Sequence, residues 1–211
     1  MGAARRVSVC SIVLLGTSTA SDVPASTPGV DAIAQLAARG IIKGYGDGVF
    51  GPDAPIVRAQ LAALIVRTFA WDTVSPNRAL PFSDLGGIDP ELQRAIAILA
   101  SKGILNGYGD GTFGPTDRVL HIQVISFITR GMVQAGYWQA VTVDDPTLYP
   151  NVPLASGHRL DLLTYTKYAG ALPDRALGQA WPDWDQPASR GWTARVLWQA
   201  LNSFFSSNRV P

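Results

Sequence analysis

The sequence predicts a mainly α-helical protein built from three tandem helix–loop–helix units. A glycine-rich loop, GYGDGVFGP at residues 44–52, returns as GYGDGTFGP at residues 107–115 with a single difference in nine positions. Apolar residues with the helical period lie before and after each loop. Self-similarity at a fixed spacing indicates a modular architecture in which neighbouring units bury each other's apolar faces.

The first helix of each unit has recognisable ends and an apolar face. In the second unit, Asp89 and Pro90 are typical of a helix start, and Gly103 is typical of a left-handed cap at a helix end. Gly40 closes the corresponding helix of the first unit. The apolar positions are Ile33, Leu36 and Ala37 in the first unit and Leu92, Ile96 and Leu99 in the second.

The second helix of each unit follows its loop. The pattern predicts these helices over about residues 56–69 and 119–132, and a final helix over about residues 192–205. The apolar faces of the first two consist of Leu61, Leu64, Ile65 and Phe69, and of Val124, Phe127, Ile128 and Met132.

The repeated loop is predicted to be a structural turn. A phosphate-binding loop requires Lys and then Ser or Thr after the glycines, where this chain has Pro52 and Asp53. A calcium loop requires alternating oxygen ligands and a distal Glu, and a dinucleotide loop requires a preceding strand. Asp-Gly pairs instead suit the positive φ angles of a tight turn. The turn residues are Gly44, Asp47, Gly48, Gly107, Asp110 and Gly111.

A third, diverged unit follows the first two. Residues 149–151 (YPN) match residues 82–84 (FSD), and residues 170–172 (GAL) match residues 103–105 (GIL), both with an offset of about 67. The loop over residues 173–181 has lost the glycine pattern completely. Three copies agree with the need of a small unit for neighbours that cover its apolar face.

The N-terminus has the features of an export signal. Arg5 and Arg6 precede an apolar run over residues 7–16, and small residues follow at 18–20. This run is shorter than the roughly 20 residues that span a bilayer. We therefore predict a signal peptide over residues 1–20. The alternative is an N-terminal tail that stays attached to the protein.

Composition argues against several classes of function. The formal net charge of +1 gives no electrostatic reason to expect nucleic acid or an anionic membrane as a partner. The single cysteine, Cys10, lies in the predicted export segment, so the mature chain would have no disulfide and no thiolate site. There are two histidines, His121 and His158, and neither G-x-S-x-G nor H-E-x-x-H occurs. We predict no enzyme and no cofactor.

Together these features resemble the S-layer homology domain. The resemblance rests on a helix followed by Gly-Ile-Ile, the string G-Y-x-D-G-x-F-x-P, and a second helix that opens with a tetrapeptide similar to Thr-Arg-Ala-Glu. It divides the chain into two clear copies, at 21–78 and 79–143, and a degenerate third copy at 144–211.

The resemblance implies a pseudo-threefold bundle around a central set of helices. It also implies non-covalent anchoring of an exported protein to cell-wall polysaccharide, which often carries pyruvate ketals. The ligand grooves of the family lie between adjacent copies, and the tetrapeptide arginine contacts the ketal carboxylate. A guanidinium suits this task because it forks onto a carboxylate with two charge-assisted hydrogen bonds.

The resemblance assigns ligand-binding candidates in the first two tetrapeptides. The first reads VRAQ, with Arg58 at the arginine position and Gln60 in place of the usual acid. The second reads LHIQ, with His121 at the arginine position and Gln123 three residues from the start. An imidazole is mostly neutral at pH 7, so His121 is a weaker anion contact than an arginine.

The third tetrapeptide aligns best as WTAR, which puts Thr193 at the arginine position and displaces Arg195 by two residues. Arg195 or Arg190 is then the candidate substitute. With one intact motif, we expect at most one groove, beside Arg58, to bind an anionic sugar in the manner of the family.

Further candidates are aromatic or acidic. Trp181 and Trp184 lie in a loop rich in Pro and Asp, where they either form a sugar platform or pack in the core. Asp84, and Asn151 in the third copy, occupy a lead-in position from which the side chain lines a groove or caps the next helix.

Two functions follow from the resemblance, both on the bacterial cell surface. The first is a non-catalytic module bound to cell-wall polysaccharide, either a secondary wall polymer or a glycan linked to peptidoglycan. The alternative is a structural subunit of a surface layer, filament or envelope assembly, which contacts itself or another surface protein. A cationic open groove beside Arg58 would support the first, and a large apolar patch the second.

Overall fold

The computed structural model describes residues 20–73 and 82–207, and within them the fold is mainly α-helical as predicted. Extended segments in these ranges pair only through isolated bridges, and no helix there is long and apolar enough to cross a membrane. Residues 1–19 of the predicted signal peptide lie outside the described residues. The helices are α1 (Val30–Ala38), α2 (Arg58–Thr68), α3 (Pro90–Ser101), α4 (His121–Gln134), α5 (Arg159–Ala169) and α6 (Arg190–Ser207), with 3-10 turns at Trp71–Thr73 and Leu154–Ser156.

The helices pair in a cyclic order. Each unit contributes a first helix (α1, α3 or α5) and a second helix (α2, α4 or α6), as the sequence pattern predicts. Each second helix packs on the first helix of the next unit: α2 on α3, α4 on α5, and α6 back on α1. The last helix of the chain therefore covers the first, and α4 lies between α2 and α6.

Three backbone hydrogen bonds close a ring at the start of the second helices. Ile56 N–H donates to the Ala188 carbonyl at 3.0 Å, Ala188 N–H donates to Val119 at 2.8 Å, and Val119 N–H donates to Ile56 at 3.0 Å. All three residues are buried. Each lies two positions before a second helix, so the ring fixes where the three helices begin relative to one another.

The loop glycines adopt the conformations that a tight turn requires. Gly48 and Gly111 have φ values of 73° and 87°, in the left-handed region that favours glycine. Asp47 also has a positive φ, of 49°. Asp110 stabilises its turn differently, because its Oδ1 accepts hydrogen bonds from both the backbone N–H and the hydroxyl of Thr112.

Asp84 clamps the second loop and does not cap a helix. Its two carboxylate oxygens accept the backbone N–H groups of Phe113 at 2.9 Å and Gly114 at 2.7 Å. The expectation of a cap is corrected, because Asp89 caps α3 through Glu91 N–H at 2.7 Å. Burial opposes ionisation of Asp84, but the backbone donors prevail and lower its pKa.

The same clamp occurs in the other units. Asp22 accepts the N–H groups of Phe50 at 2.9 Å and Gly51 at 2.6 Å. In the third unit, Asn151 Oδ1 accepts Trp181 N–H at 2.6 Å while its Nδ2 donates to the Trp181 carbonyl at 2.8 Å. Each clamp holds a buried aromatic residue of its loop against the core.

The Asp84→Asn variant tests the clamp. An amide accepts one N–H group and turns its own NH₂ toward the other, so we expect the melting temperature to fall by a few degrees at pH 7. The carboxylate has a lowered pKa in the folded protein. Its contribution is therefore present above the unfolded value of about 3.9 and is lost as the pH falls through the lower, folded value.

Thermal melts followed by circular dichroism from pH 6 to pH 3 provide the measurement. We expect the wild type to lose more stability over this range than Asp84→Asn, because the variant has no carboxylate to protonate at this position. Parallel losses in the two proteins would contradict the clamp.

Candidate ligand groove

Arg58 reaches from the start of α2 into the loop of the second unit. Its Nε donates to the Phe113 carbonyl at 2.8 Å, and its Nη2 donates to the Asn106 carbonyl at 3.0 Å. The guanidinium carbon lies 4.5 Å from the Phe113 ring centre and 4.9 Å from that of Tyr108. Arg58 is buried, with 6% of its surface exposed. Its bonds to the second loop join two units, in addition to any contact with a ligand.

Arg190 makes the same contacts from the start of α6 into the loop of the first unit. Its Nε donates to the Phe50 carbonyl at 3.0 Å, and its Nη2 donates to the Lys43 carbonyl at 2.7 Å. The guanidinium carbon lies 4.5 Å from the ring centre of Tyr45 and 4.7 Å from that of Phe50. In Arg190, as in Arg58, Nη1 makes no hydrogen bond with a described residue.

The backbone confirms that Arg190 is the counterpart of Arg58. Arg58 N–H donates to the Asp117 carbonyl at 3.0 Å, and Arg190 N–H donates to the Ala54 carbonyl at 2.9 Å. The alignment that put Thr193 at the arginine position was therefore wrong by three residues. We call each contact between a helix-opening side chain and the loop of the neighbouring unit a junction.

Thr193 and Arg195 have other roles. Thr193 is fully buried, and its hydroxyl donates to the Ser189 carbonyl at 2.8 Å within the first turn of α6. Arg195 forms a surface ion pair with Asp174, with Nη1 2.6 Å from Oδ2. Arg195 thus does not take the arginine position of the third tetrapeptide, which Arg190 fills.

His121 occupies the third junction. Its Nδ1 lies 2.9 Å from the Asp183 carbonyl, and its ring packs edge-on against Trp192 at 4.4 Å between centres. Burial lowers the pKa of His121, although the Asp183 carbonyl acts in the opposite direction. The side chain is therefore neutral at pH 7, and this junction lacks the cation of the other two.

The two tryptophans of the third loop are not an exposed pair. Trp181 is 2% exposed and takes the place in its loop that Phe50 and Phe113 take in theirs. It is a core residue, so the sugar platform predicted for it is corrected. Trp184 is half-buried, and its carbonyl accepts Ile122 N–H at the start of α4.

Gln60 and Gln123 act as helix caps. The side-chain oxygen of Gln60 accepts Val57 N–H at 3.5 Å, and that of Gln123 accepts Leu120 N–H at 3.1 Å. In both cases the glutamine reaches back to the residue before its helix, which is the role of an acid or amide in a capping box. Gln60 also faces an open cavity.

This cavity has a volume of about 410 Å³ and lies between the first loop, α2 and the start of α3. We call it the first groove. Its apolar wall includes Ile41, Ile42, Tyr45, Phe50, Ile56, Ala63, Leu64 and Leu92. Its charged residues are Lys43, Arg67, Asp89, Glu91 and Arg190.

Sequence reasoning missed the cations of the first groove. Arg67 follows Gln60 by seven residues, so both lie on the same face of α2, a spacing that was available as a signal. Lys43 directly follows the Gly-Ile-Ile string of the first unit. The sequence offered Arg190 only as a substitute for the arginine of the third tetrapeptide. Its true register follows from the ring of backbone hydrogen bonds, which joins residues far apart in the chain.

Similar proteins come from bacterial surfaces. Over 163 residues the chain is 29% identical to Cell surface glycoprotein 1 of Acetivibrio thermocellus, and the alignment covers 74% of this chain and 7% of that protein. Over 131 residues it is 28% identical to Cell surface protein of Thermoanaerobacter kivui, and the alignment covers 59% of this chain and 17% of that protein. Over 162 residues it is 25% identical to Surface layer protein of Brevibacillus choshinensis, and the alignment covers 74% of this chain and 14% of that protein. The chain thus spans less than a fifth of each relative.

The first two units also match the model of a known domain family. The model of the S-layer homology domain matches residues 21–62 and 81–125. These segments contain both glycine loops and the starts of α2 and α4. Residues 21–62 and 81–125 of this chain thus match the S-layer homology domain family.

Proposed function

We propose that this chain is a non-catalytic anchoring module that attaches its protein to an acidic polysaccharide of the bacterial cell wall. The domain family and the surface proteins that share it support a location at the cell envelope. The first groove carries the proposal, because it combines cations with an aromatic wall in one open cavity.

The chemistry of the first groove suits a sugar that bears a carboxylate. Arg67 offers a planar fork of donors, and Lys43 offers a compact, mobile ammonium. Tyr45 lies at the rim, 55% exposed, where an aromatic ring can pack on the face of a sugar. A pyruvate ketal presents a carboxylate on a rigid acetal and is the substituent that we propose for this groove.

We further propose that residues 144–211 are a degenerate third copy of the domain. The Asn151 clamp, the register of Arg190 and the position of Ala188 in the backbone ring support it. Two junctions then retain an arginine, Arg58 and Arg190, where the sequence led us to expect one. Both are candidate anion sites, and the His121 junction is not.

Removing Arg67 tests the anchoring proposal. We expect Arg67→Gln to bind wall sacculi roughly tenfold more weakly than the wild type, because the ligand carboxylate loses a charge-assisted fork. Mild acid removal of ketals from the sacculi should weaken the wild type to a similar degree. Binding is measured by co-sedimentation at fixed ionic strength.

Arg39→Gln is the matched control, since it removes the same charge from the residue that follows α1, where Arg39 stacks over Trp198. It should bind as the wild type does. Arg190→Ala is a poorer test, because it also breaks the junction between two units. Equal binding by wild type and Arg67→Gln, with no effect of acid treatment, would refute the proposal.

One observation favours the alternative, protein–protein assembly. Five aromatic side chains form a continuous row at the C-terminal ends of the second helices: Phe69, Trp71, Tyr137, Phe204 and Phe205. Neighbouring ring centres are 4.1 to 5.9 Å apart. Tyr137 is 40% exposed and Phe205 48% exposed, so part of this aromatic row faces solvent.

Sedimentation velocity tests whether the aromatic row joins two copies of the chain. If it does, the wild type should associate as its concentration rises, and a Tyr137→Ser, Phe205→Ser double variant should remain monomeric. A wild type that stays monomeric up to millimolar concentration would exclude self-assembly through the aromatic row.

A further inference from the structure

Glu91 is the only glutamate in the sequence, and it lies at the first groove, in the first turn of α3. Its carboxylate receives four hydrogen bonds from two cations. Arg67 donates Nε at 2.9 Å and Nη2 at 2.6 Å to Oε1. Lys43 Nζ lies 3.2 Å from Oε1 and 3.0 Å from Oε2. A carboxylate of the protein itself thus occupies the centre of the cationic cluster.

The donors that Glu91 occupies are the ones that an incoming anion would need. Arg190 has committed Nε and Nη2 to backbone carbonyls and retains only Nη1. Lys43 and Arg67 make their side-chain hydrogen bonds to Glu91. A ligand carboxylate that enters the first groove therefore finds Nε and Nη2 of Arg67 and Nζ of Lys43 already bonded to Glu91.

We infer that Glu91 is a resident carboxylate that an acidic sugar must displace to bind in the first groove. This inference rests on the function proposed above and adds the step by which the groove selects its ligand. A ligand carboxylate can take over the bonds of Glu91 because it has the same charge and the same planar pair of oxygens.

The exchange has a small cost for the fold. Lys43 is 59% and Glu91 51% exposed at the side chain, and ion pairs this exposed contribute little to stability. The displaced Glu91 can return to water without breaking a buried contact. The hydrogen bonds from Arg67, and then those from Lys43, outweigh burial and lower the pKa of Glu91, so the competitor remains charged in mild acid as well as at neutral pH.

Displacement also provides selectivity. A neutral sugar offers hydroxyl groups that cannot replace a carboxylate on two cations, so Glu91 excludes it from the centre of the cluster. An acidic sugar can replace the Glu91 carboxylate with a carboxylate of its own. Competition of this kind is a means of discriminating against the wrong ligand, and it lowers the affinity for the right one.

The Glu91→Gln variant tests the inference. We expect it to bind sacculi about tenfold more tightly than the wild type, because the ligand no longer competes with an internal anion. The gain should disappear on sacculi from which mild acid has removed the ketals. Asp174→Asn is the matched control: it also removes an exposed carboxylate from an arginine, Arg195, but outside the first groove. It should bind as the wild type does.

Two outcomes separate this inference from the proposed function. If the wild type binds sacculi in a ketal-dependent manner and Glu91→Gln binds equally or more weakly, Glu91 only positions the cations and the inference is wrong. If the wild type does not bind sacculi at all, the proposed function fails and the inference fails with it.

A second measurement follows Arg67 directly, first in the wild type. The Nε–H signal of Arg67, followed by ¹⁵N NMR, should shift when the wild type is titrated with glucuronate and should stay unchanged with glucose. Half-saturation should move to lower glucuronate concentration in Glu91→Gln. An Arg67 signal that ignores glucuronate, or that responds equally to glucose, would overturn the inference.

Discussion

The ring of three backbone hydrogen bonds among Ile56, Val119 and Ala188 is the constraint on which the rest of the structure depends. Buried N–H and C=O groups must be paired, and each of these residues pairs with two other units at once. None of the three second helices can shift its start without leaving a buried group unsatisfied. The ring therefore fixes which side chain of each unit enters the loop of its neighbour.

The junctions are the direct result of this constraint. Arg58, His121 and Arg190 each follow a ring residue by two positions and each enter a neighbouring loop. An arginine at this place donates from Nε and Nη2 to backbone carbonyls, so it stabilises the contact between units and also places a positive charge there. The other two cations of the first groove, Lys43 and Arg67, then come from segments that the junction brings together.

The three junctions share one backbone arrangement and differ in chemistry. Two hold a guanidinium between aromatic rings. The third holds a neutral imidazole among Trp181 and Trp192, beside a loop that has lost the repeated glycine pattern. The third junction thus has aromatic packing in place of a cation, and the pairing of the three second helices is retained because it depends on backbone groups.

The sequence by itself determined the helices, the glycine turns and the repeat, because periodicity and turn chemistry are local properties. It misplaced the third arginine at Thr193, since the register of Arg190 depends on a backbone bond to Ala54, far away in the chain. It also left Asp84 between a groove position and a helix cap, whereas the structure shows it bonded to the backbone of the second loop. Only the tertiary structure brought Lys43, Arg67 and Glu91 together, because three segments from two units meet there and no local pattern records which unit lies beside which.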